Sequence, residues 1–280
     1  MVLKFSRESG AKLERFRDYT VWFWDYAYPK SWHPWGQADA PLRQMRDAGC
    51  ETIICGSSQS WKDDPFLVRY GEHRFNLAAC ADLARRERLS GLCVTSWTIH
   101  QGLKRLQYPL FDYAARRYLA PGESAETDWA EAVATNFGTV PTDALDAISA
   151  WQVRYGLADG RGWNGYKDGT VPPPTALPTR FKDGHVSREK LADELAVFTA
   201  GLRAPQERLA RLPGETLTPL GRLLVDAARL KVKFHEVGLR ALRGEKGGDV
   251  PWRETKAFYT NEYSSVSADL ATKLIYPYAE

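Results

Sequence analysis

The sequence predicts an α/β section followed by an α-helical section. In the first 120 residues, short apolar runs alternate with segments of helical periodicity, a pattern typical of parallel strands joined by helices. After residue 120 the aromatic residues become sparser and Ala, Leu, Arg and Glu dominate, as in helices. We therefore predict an α/β region over residues 1–120 and a helical C-terminal domain over residues 121–280.

Three apolar runs in the first section are predicted to be β-strands. They cover residues 20–28, 51–55 and 91–97, and each is bounded by Gly, Ser or Pro. Helical patterns lie at 38–48, 72–88 and 108–118. Because strands alternate with helices, neighbouring strands are predicted to pair in parallel.

Apolar stripes at helical spacing predict long helices in the second section. One stripe runs from Leu191 to Leu202, and another follows Thr218 and Pro219, which are suited to the N-cap and first helical positions. Further helices are predicted over 143–155, behind Thr142 as N-cap, and over 257–274. Residues 156–186, rich in Gly and Pro, are predicted to form a long loop.

Composition excludes several classes of protein. A net charge of +3 and a pI near 8.6 are too mild for a nucleic-acid-binding protein. No run approaches the roughly 18 consecutive apolar residues of a membrane span, and residues 1–7 lack the apolar core of a signal peptide. We expect a cytoplasmic protein that binds neither nucleic acid nor membrane.

The sequence contains no motif for a metal or cofactor. The four cysteines, none in a CxxC pair, fit small buried residues in a reducing compartment better than disulfides or zinc ligands. The histidines lack the HExxH spacing, and there is no Walker or GxSxG sequence. We therefore predict no cofactor and no metal.

Polar and aromatic residues end each predicted strand. The three strand ends are Trp24-Asp25-Tyr26, Ser57-Ser58-Gln59 and Thr95-Ser96-Trp97. In a (β/α)8 barrel the active site is built from residues at the carboxyl ends of the strands. Three βα units are too few to close such a barrel, so these residues predict part of one.

Residues 15–120 resemble strands six to eight of the glycoside hydrolase family 20 barrel, especially the hexosaminidase D-like branch. In that branch strand six ends in a Trp-Asp pair, as in Trp24-Asp25, and strand eight ends in a Thr-Gly-Trp turn, similar to Thr95-Ser96-Trp97. A segment bearing Leu and Pro then leads into a closing helix, as 106–110 does here. The resemblance implies a partial (β/α)8 TIM barrel, about its last three βα units, with the branch's helical C-terminal extension.

The resemblance also implies an activity, the release of terminal N-acetylhexosamine by substrate-assisted catalysis. The substrate's own N-acetyl oxygen then acts as nucleophile. The family's Asp-Glu pair, which supplies the general acid, has no counterpart before residue 120; Asp193-Glu194 has the spacing of a solvated helix face. The branch's Tyr and Asp after strand eight are replaced by His100 and Gln101. We expect a partner chain or a homo-oligomer to complete the barrel.

The candidate site residues follow from strand-end position and from the resemblance. Aromatic walls stack on the apolar faces of sugars, and a few polar groups fix the hydroxyls. Asp25 is the candidate supporting carboxylate, because a buried carboxylate is costly unless it is paired or functional. The predicted substrate-binding residues are Trp24, Asp25, Trp32, Trp35, Gln59, Trp61, Trp97 and His100; the general acid is unassigned.

Each candidate has a structural alternative. Asp25 could form a salt bridge to Arg43 or Arg69, the aromatic residues could be core, and His100 could be a simple polar contact. Two other interpretations of the whole chain stay open. One is a non-catalytic carbohydrate-binding or scaffold remnant of such an enzyme. The other is a small open α/β domain with a helical bundle and no role in sugar chemistry.

Overall fold

The computed structural model describes residues 12–26, 28–29, 38–59, 66–96, 104–150, 180–181, 184–185, 188–243, 245, 254 and 257–258. Within these ranges the chain is mixed α/β and mostly helical, with seven α-helices and a small parallel sheet. The residues fall into two compact units, one drawn from 1–60, 70–97 and 107–135 and the other from 61–69, 98–106 and 136–280. The domain boundary predicted at residue 120 stays a prediction.

The first unit contains a three-stranded sheet in the order β1-β2-β3. The strands are β1 (Thr20–Trp24), β2 (Glu51–Gln59) and β3 (Gly91–Ser96), and both pairs are parallel, as predicted. β1 ends earlier than predicted, so that Asp25 follows the strand. β2 is four residues longer than predicted, because its polar residues 56–59 continue the pairing with β3.

Four α-helices accompany the sheet in the chain: α1 (Asp39–Asp47), α2 (Tyr70–Arg86), α3 (Tyr108–Leu119) and α4 (Ala125–Phe137). The first three match predicted helices within two residues at each end. The fourth was not predicted individually. Its signals are Ser124, whose hydroxyl accepts the Thr127 N–H at 3.0 Å as an N-cap does, and the buried residues Trp129, Ala132 and Val133 at helical spacing.

One face of the sheet packs against helices to form a hydrophobic core. Phe23, Ile54 and Leu92 are register partners on the three strands, and they pack with Leu42 of α1 and Leu83 of α2. Burying one such side chain fully is worth roughly 1.5–3 kcal/mol. Residues of the opposite parity, such as Trp22 and Trp24, lie on the other face.

An aromatic cluster joins α2, α3 and α4. The Trp129 ring lies 5.9 Å from that of Tyr70 and 5.6 Å, edge-on, from that of Tyr113. Burial raises the pKa of Tyr113 to about 12. Nearby, Arg117 of α3 pairs with Asp128 at 3.0 Å. Ring stacking and this largely buried ion pair together fix α3 and α4.

A buried carboxylate, Glu87, lies just beyond the end of α2 and binds three arginines. Its side-chain oxygens lie 2.8 Å from Arg46 and 3.1 Å from both Arg43 and Arg86. Burial raises the pKa of Glu87, but hydrogen bonds from the three guanidinium groups outweigh it and hold that pKa below its usual value. The pairs with Arg43 and Arg46 tie the end of α2 to α1.

The second unit is built on three α-helices in the described residues: α5 (Thr142–Ala150), α6 (Arg188–Ala210) and α7 (Pro219–Arg243), with α6 packed against both others. The predicted helical character of this section is confirmed there. Within the predicted loop 156–186, β4 (Arg180–Phe181) and β5 (Gly184–His185) form an antiparallel pair. Of the predicted helix 257–274, residues 257–258 are helical and the rest lie outside the described residues.

None of the helices in the described part of the chain is long and apolar enough to cross a membrane. α6 has Pro205 near its end, and α7 is strongly amphipathic, with Leu224, Ala227 and Leu230 buried. The long helices therefore bury one apolar stripe each, as expected for a bundle.

The start of α7 is pressed closely against the segment that ends α4. Thr218 caps α7, because its hydroxyl accepts the Gly221 N–H at 2.9 Å, as predicted for an N-cap. A Cβ on Gly221 would lie only 2.1 Å from the Phe137 carbonyl oxygen. Gly138 has φ +80°, and a Cβ there would lie 2.3 Å from the Thr216 carbonyl oxygen. Both positions therefore require glycine.

We expect Gly221→Ala to lower the free energy of unfolding by about 2–3 kcal/mol, because the new methyl group collides with backbone that has no room to move. Urea unfolding followed by circular dichroism measures the effect. Gly214→Ala is the matched control, since a Cβ at Gly214 meets nothing within 4 Å and its φ is ordinary. Equal stability of the two variants would contradict this account of the junction.

α7 also carries two buried basic side chains one helical turn apart, Lys231 and His235. Burial, together with the charge of Lys231, lowers the pKa of His235 to about 3. In the unfolded chain the pKa of a histidine is about 6.5. Below that pH the unfolded state therefore takes up a proton that the folded state does not, and folding loses stability as the pH falls.

We predict that lowering the pH from 7 to 5 costs the wild-type protein about 2 kcal/mol of unfolding free energy through His235. In His235→Leu this part of the pH dependence disappears. Urea titrations of both proteins at pH 7, 6 and 5 measure the difference between their slopes. This window lies above the ordinary pKa of carboxylic acids, so Asp and Glu contribute little to it. Parallel slopes would contradict the prediction.

Candidate functional site

The carboxyl ends of the three parallel strands meet at one edge of the sheet in the first unit. There the chain leaves β1 through Asp25 and Tyr26, β2 ends at Gln59, and β3 ends at Ser96. In α/β proteins this is the edge at which ligands bind. The structure thus brings together the predicted residues Trp24, Asp25 and Gln59. We call this group of strand ends the strand-end edge.

A β-bulge reshapes the end of β2. Ser57 pairs with Thr95 and Gln59 with Ser96, so Ser58 is the extra residue. Its hydroxyl lies 2.7 Å from Gln107 Oε1 and 3.2 Å from the Thr95 carbonyl oxygen. The Gln107 side-chain N–H in turn donates to Gln59 Oε1. The bulge turns Gln59 towards the start of α3, where it is almost completely buried.

The amide side chain of Asn76, in α2, ties two of the strand ends together. Its NH₂ group donates to the carbonyl oxygens of Asp25 and Tyr28, both at 3.0 Å, and its Oδ1 accepts the Ser57 N–H at 3.0 Å. Three backbone groups beyond the regular ladder are thereby satisfied in the buried interior. Gly56 permits this approach, because a Cβ there would lie 2.7 Å from Leu77 of α2.

Asp25 is buried, with 9% of its surface exposed. Its backbone N–H donates to the Cys55 carbonyl oxygen at 3.4 Å, and its carbonyl is held by Asn76. Burial raises the pKa of the Cys80 thiol well above its usual value, and the nearby Asp25 carboxylate raises it further. Arg43, one of two arginines considered as a partner for Asp25, pairs with Glu87.

Aromatic and hydroxyl groups occupy the exposed part of the strand-end edge. Trp24 is 57% exposed. The Tyr26 hydroxyl lies 3.0 Å from Thr95 Oγ1, which also lies 2.9 Å from the Gly56 carbonyl oxygen. A flat apolar ring beside fixed hydroxyl groups suits a ligand with one apolar face and several hydroxyls, as a sugar has.

The other predicted site residues, Trp32, Trp35, Trp61, Trp97 and His100, lie outside the described residues. Asp193, from the alternative Asp-Glu pair, is exposed on α6. Two residues at the strand-end edge were not singled out from the sequence, Asn76 and Gln107. Their positions in the sequence could have indicated a buried polar contact, since each is a polar residue inside or next to an apolar helical pattern.

The described residues at this edge do not form a set of metal ligands. No group of three or more His, Cys, Asp or Glu side chains there is arranged to hold a metal ion. Cys50, Cys55 and Cys80 are buried thiols, as the sequence predicted for its cysteines, and Cys93 is half-buried. Among the described residues, the side chains at the strand-end edge carry aromatic, amide, hydroxyl and carboxylate groups.

We predict that Asn76→Ala destabilises the strand-end edge, because it leaves two buried carbonyl groups and one N–H without their partner. The expected loss of unfolding free energy is about 2–4 kcal/mol, and the Ser57 amide should exchange its hydrogen faster than in the wild type. Hydrogen exchange followed by NMR checks both effects. Asn136→Ala is the control, since the groups at Asp25, Tyr28 and Ser57 are bound by Asn76. Unchanged protection of Ser57 would refute the role of Asn76.

Comparison of the sequence with models of known protein families gives no match, and no curated protein matches it significantly. The likeness to glycoside hydrolase family 20 therefore depends on the strand-end residues quoted above. Function has to be inferred from the chemistry of the strand-end edge.

Proposed function

We propose that this chain supplies part of a saccharide site of the glycoside hydrolase family 20 type. In the complete protein, a β-N-acetylhexosaminide would be hydrolysed by substrate-assisted catalysis. The observation that supports this proposal best is the half-exposed Trp24 beside fixed hydroxyl groups, at the edge where parallel strands end. This combination is the usual means of binding a sugar ring.

The order of the strands favours a partial (β/α)8 barrel over a doubly wound sheet. The strands follow one another in chain order, and the core residues Phe23, Ile54 and Leu92 that meet α1 and α2 all belong to one face. In a doubly wound sheet, by contrast, helices cover both faces. In a completed barrel the opposite face, which carries Trp22 and Trp24, would become the interior.

A partner would have to complete such a barrel. Trp22 and Trp24 are 51% and 57% exposed, and large exposed aromatic side chains on a sheet face are typical of association surfaces. The partner would be either a chain that carries the remaining βα units or further copies of this one. It would also supply the general acid.

In this proposal Asp25 supports the reaction and does not donate the proton. Its backbone is fixed at both the N–H and the carbonyl group, so the residue is held rigidly at the strand-end edge. A carboxylate in that position can orient an N–H group of the substrate's acetamido substituent, so that the N-acetyl oxygen attacks the anomeric carbon. Trp24 would stack on the sugar ring.

A second candidate function is non-catalytic saccharide binding or a scaffold role. The observation in its favour is that Asp25 is the one carboxylate at the strand-end edge among the described residues. A single carboxylate cannot both orient the acetamido group and protonate the leaving oxygen. Without a partner that brings a second acid, the edge would bind a saccharide without cleaving it.

The first arm of the test is saccharide binding by the purified chain, measured by calorimetry with an N-acetylglucosamine oligomer. We expect Trp24→Ala to weaken binding about tenfold, through the loss of one stacking contact. Trp22→Ala is the matched control, because Trp22 lies on the same strand face and is equally exposed, but one step farther from the edge. Equal effects of the two substitutions would contradict a site at the strand-end edge.

The second arm is hydrolysis of a chromogenic N-acetylglucosaminide, with and without the product of a neighbouring reading frame. Activity that requires the partner and is lost in Asp25→Asn, but not in Asp18→Asn at an exposed position, would support the hydrolase. Binding without hydrolysis in every mixture would favour the non-catalytic candidate. A folded protein that neither binds the saccharide nor hydrolyses the glycoside would favour the third interpretation, a small α/β domain with no role in sugar chemistry.

A further inference from the structure

Two cysteines lie side by side on neighbouring strands of the sheet. Cys55 of β2 and Cys93 of β3 are register partners, so their side chains project from the same face. Neighbouring strands lie about 4.8 Å apart, which falls within the separation of about 4.4–6.8 Å between the Cα atoms of disulfide-bonded cysteines. The Cys93 thiol is also close enough to contribute to the raised pKa of the Cys55 thiol. The backbone therefore holds two sulfur atoms within reach of a covalent bond.

The two thiols have different environments. Cys55 is completely buried. Burial is the main cause that raises the pKa of its thiol to about 12, and the neighbouring Cys93 raises that pKa further. Cys93 is half-buried and is therefore the thiol of the pair that a small reagent can reach. Cys50 packs with Val21 and Met45. Cys80 of α2 is near Cys55, but it packs in the core with Ile54, which projects from the opposite face of the sheet to Cys55.

We propose that Cys55 and Cys93 form an oxidation site that a peroxide converts into a disulfide between β2 and β3. The accessible thiol of Cys93 reacts first, and the buried thiol of Cys55 resolves the product. This proposal does not depend on the proposed function.

The reaction balances in two steps. The Cys93 sulfur attacks one oxygen of hydrogen peroxide, the O–O bond breaks, and Cys93 becomes a sulfenic acid while one water molecule leaves. The Cys55 sulfur then attacks the Cys93 sulfur, the S–O bond breaks, and the Cys55 proton leaves with the hydroxide as a second water molecule. Two thiols are oxidised, and the peroxide is reduced to two molecules of water.

The high pKa of the Cys55 thiol makes it a slow nucleophile and a stable thiol until a sulfenic acid forms beside it. Proximity then compensates for its low reactivity, because the two sulfur atoms already occupy neighbouring register positions. The disulfide would lie two register pairs before Ser57 and Thr95 and beside Trp24, the β1 partner of Cys55. Its formation should therefore quench the fluorescence of Trp24.

The test treats the full wild-type chain with hydrogen peroxide, blocks the remaining thiols with an alkylating agent and maps the peptides by mass spectrometry. We expect one cross-linked species that joins the peptides of Cys55 and Cys93 and is lighter by two hydrogens. Cys50 and Cys80 should be alkylated only after unfolding. A reducing agent should restore both the free thiols and the tryptophan fluorescence.

Two variants sharpen the test. In Cys55→Ala, Cys93 should stop at the sulfenic acid and be trapped by dimedone, whereas Cys80→Ala, the matched control, should still form the cross-link. The wild-type peptide map does not depend on either variant folding. Peroxide-treated wild type in which Cys93 is trapped as sulfenic acid without the cross-link, or in which Cys93 does not react, would overturn the proposal.

Discussion

The side-chain amide of Asn76 holds the strand-end edge together. This one residue of α2 forms hydrogen bonds with two carbonyl groups after β1 and with one N–H of β2, where the regular hydrogen bonds between the strands end. It reaches them only because Gly56 has no side chain to keep the helix away. The positions of Asp25, Ser57 and the neighbouring bulge all depend on this contact. The binding site proposed at this edge would need a rigid frame, and the helix behind the sheet supplies one.

The regular elements could be predicted from the sequence, because their information is local. Short apolar runs bounded by Gly, Ser or Pro located all three strands of the parallel sheet, and the Thr218-Pro219 pair located the start of α7. The bulge at Ser58 could not be predicted, since an extra residue in β2 is defined only by its partner strand. The contacts of Asn76 and Gln107 also escaped prediction, because each joins groups between 19 and 51 residues apart in the chain.

The two faces of the sheet have different surroundings. One face is closed by α1 and α2 around Phe23, Ile54 and Leu92, and it accounts for much of the core of the first unit. The other presents Trp22 and Trp24 to solvent, and it also carries the paired cysteines. An apolar face of this kind raises the free energy of the isolated unit in water, so anything that covers it is favoured. Association, saccharide binding and thiol chemistry would then compete for the same surface.

The ion pairs of the Glu87 carboxylate determine which substitutions around it the fold can tolerate. Three guanidinium groups from α1 and α2 converge on it, so the loss of Arg43 leaves the carboxylate with two other partners. The loss of Glu87 instead removes the one acceptor that all three guanidinium groups share, and only Arg46 and Arg86 keep a second carboxylate partner among the ion pairs described, in Asp47 and Asp39. The cluster is therefore robust to substitution on its basic side and fragile on its acidic side. Among divergent relatives, the arginines should vary individually while the glutamate is retained.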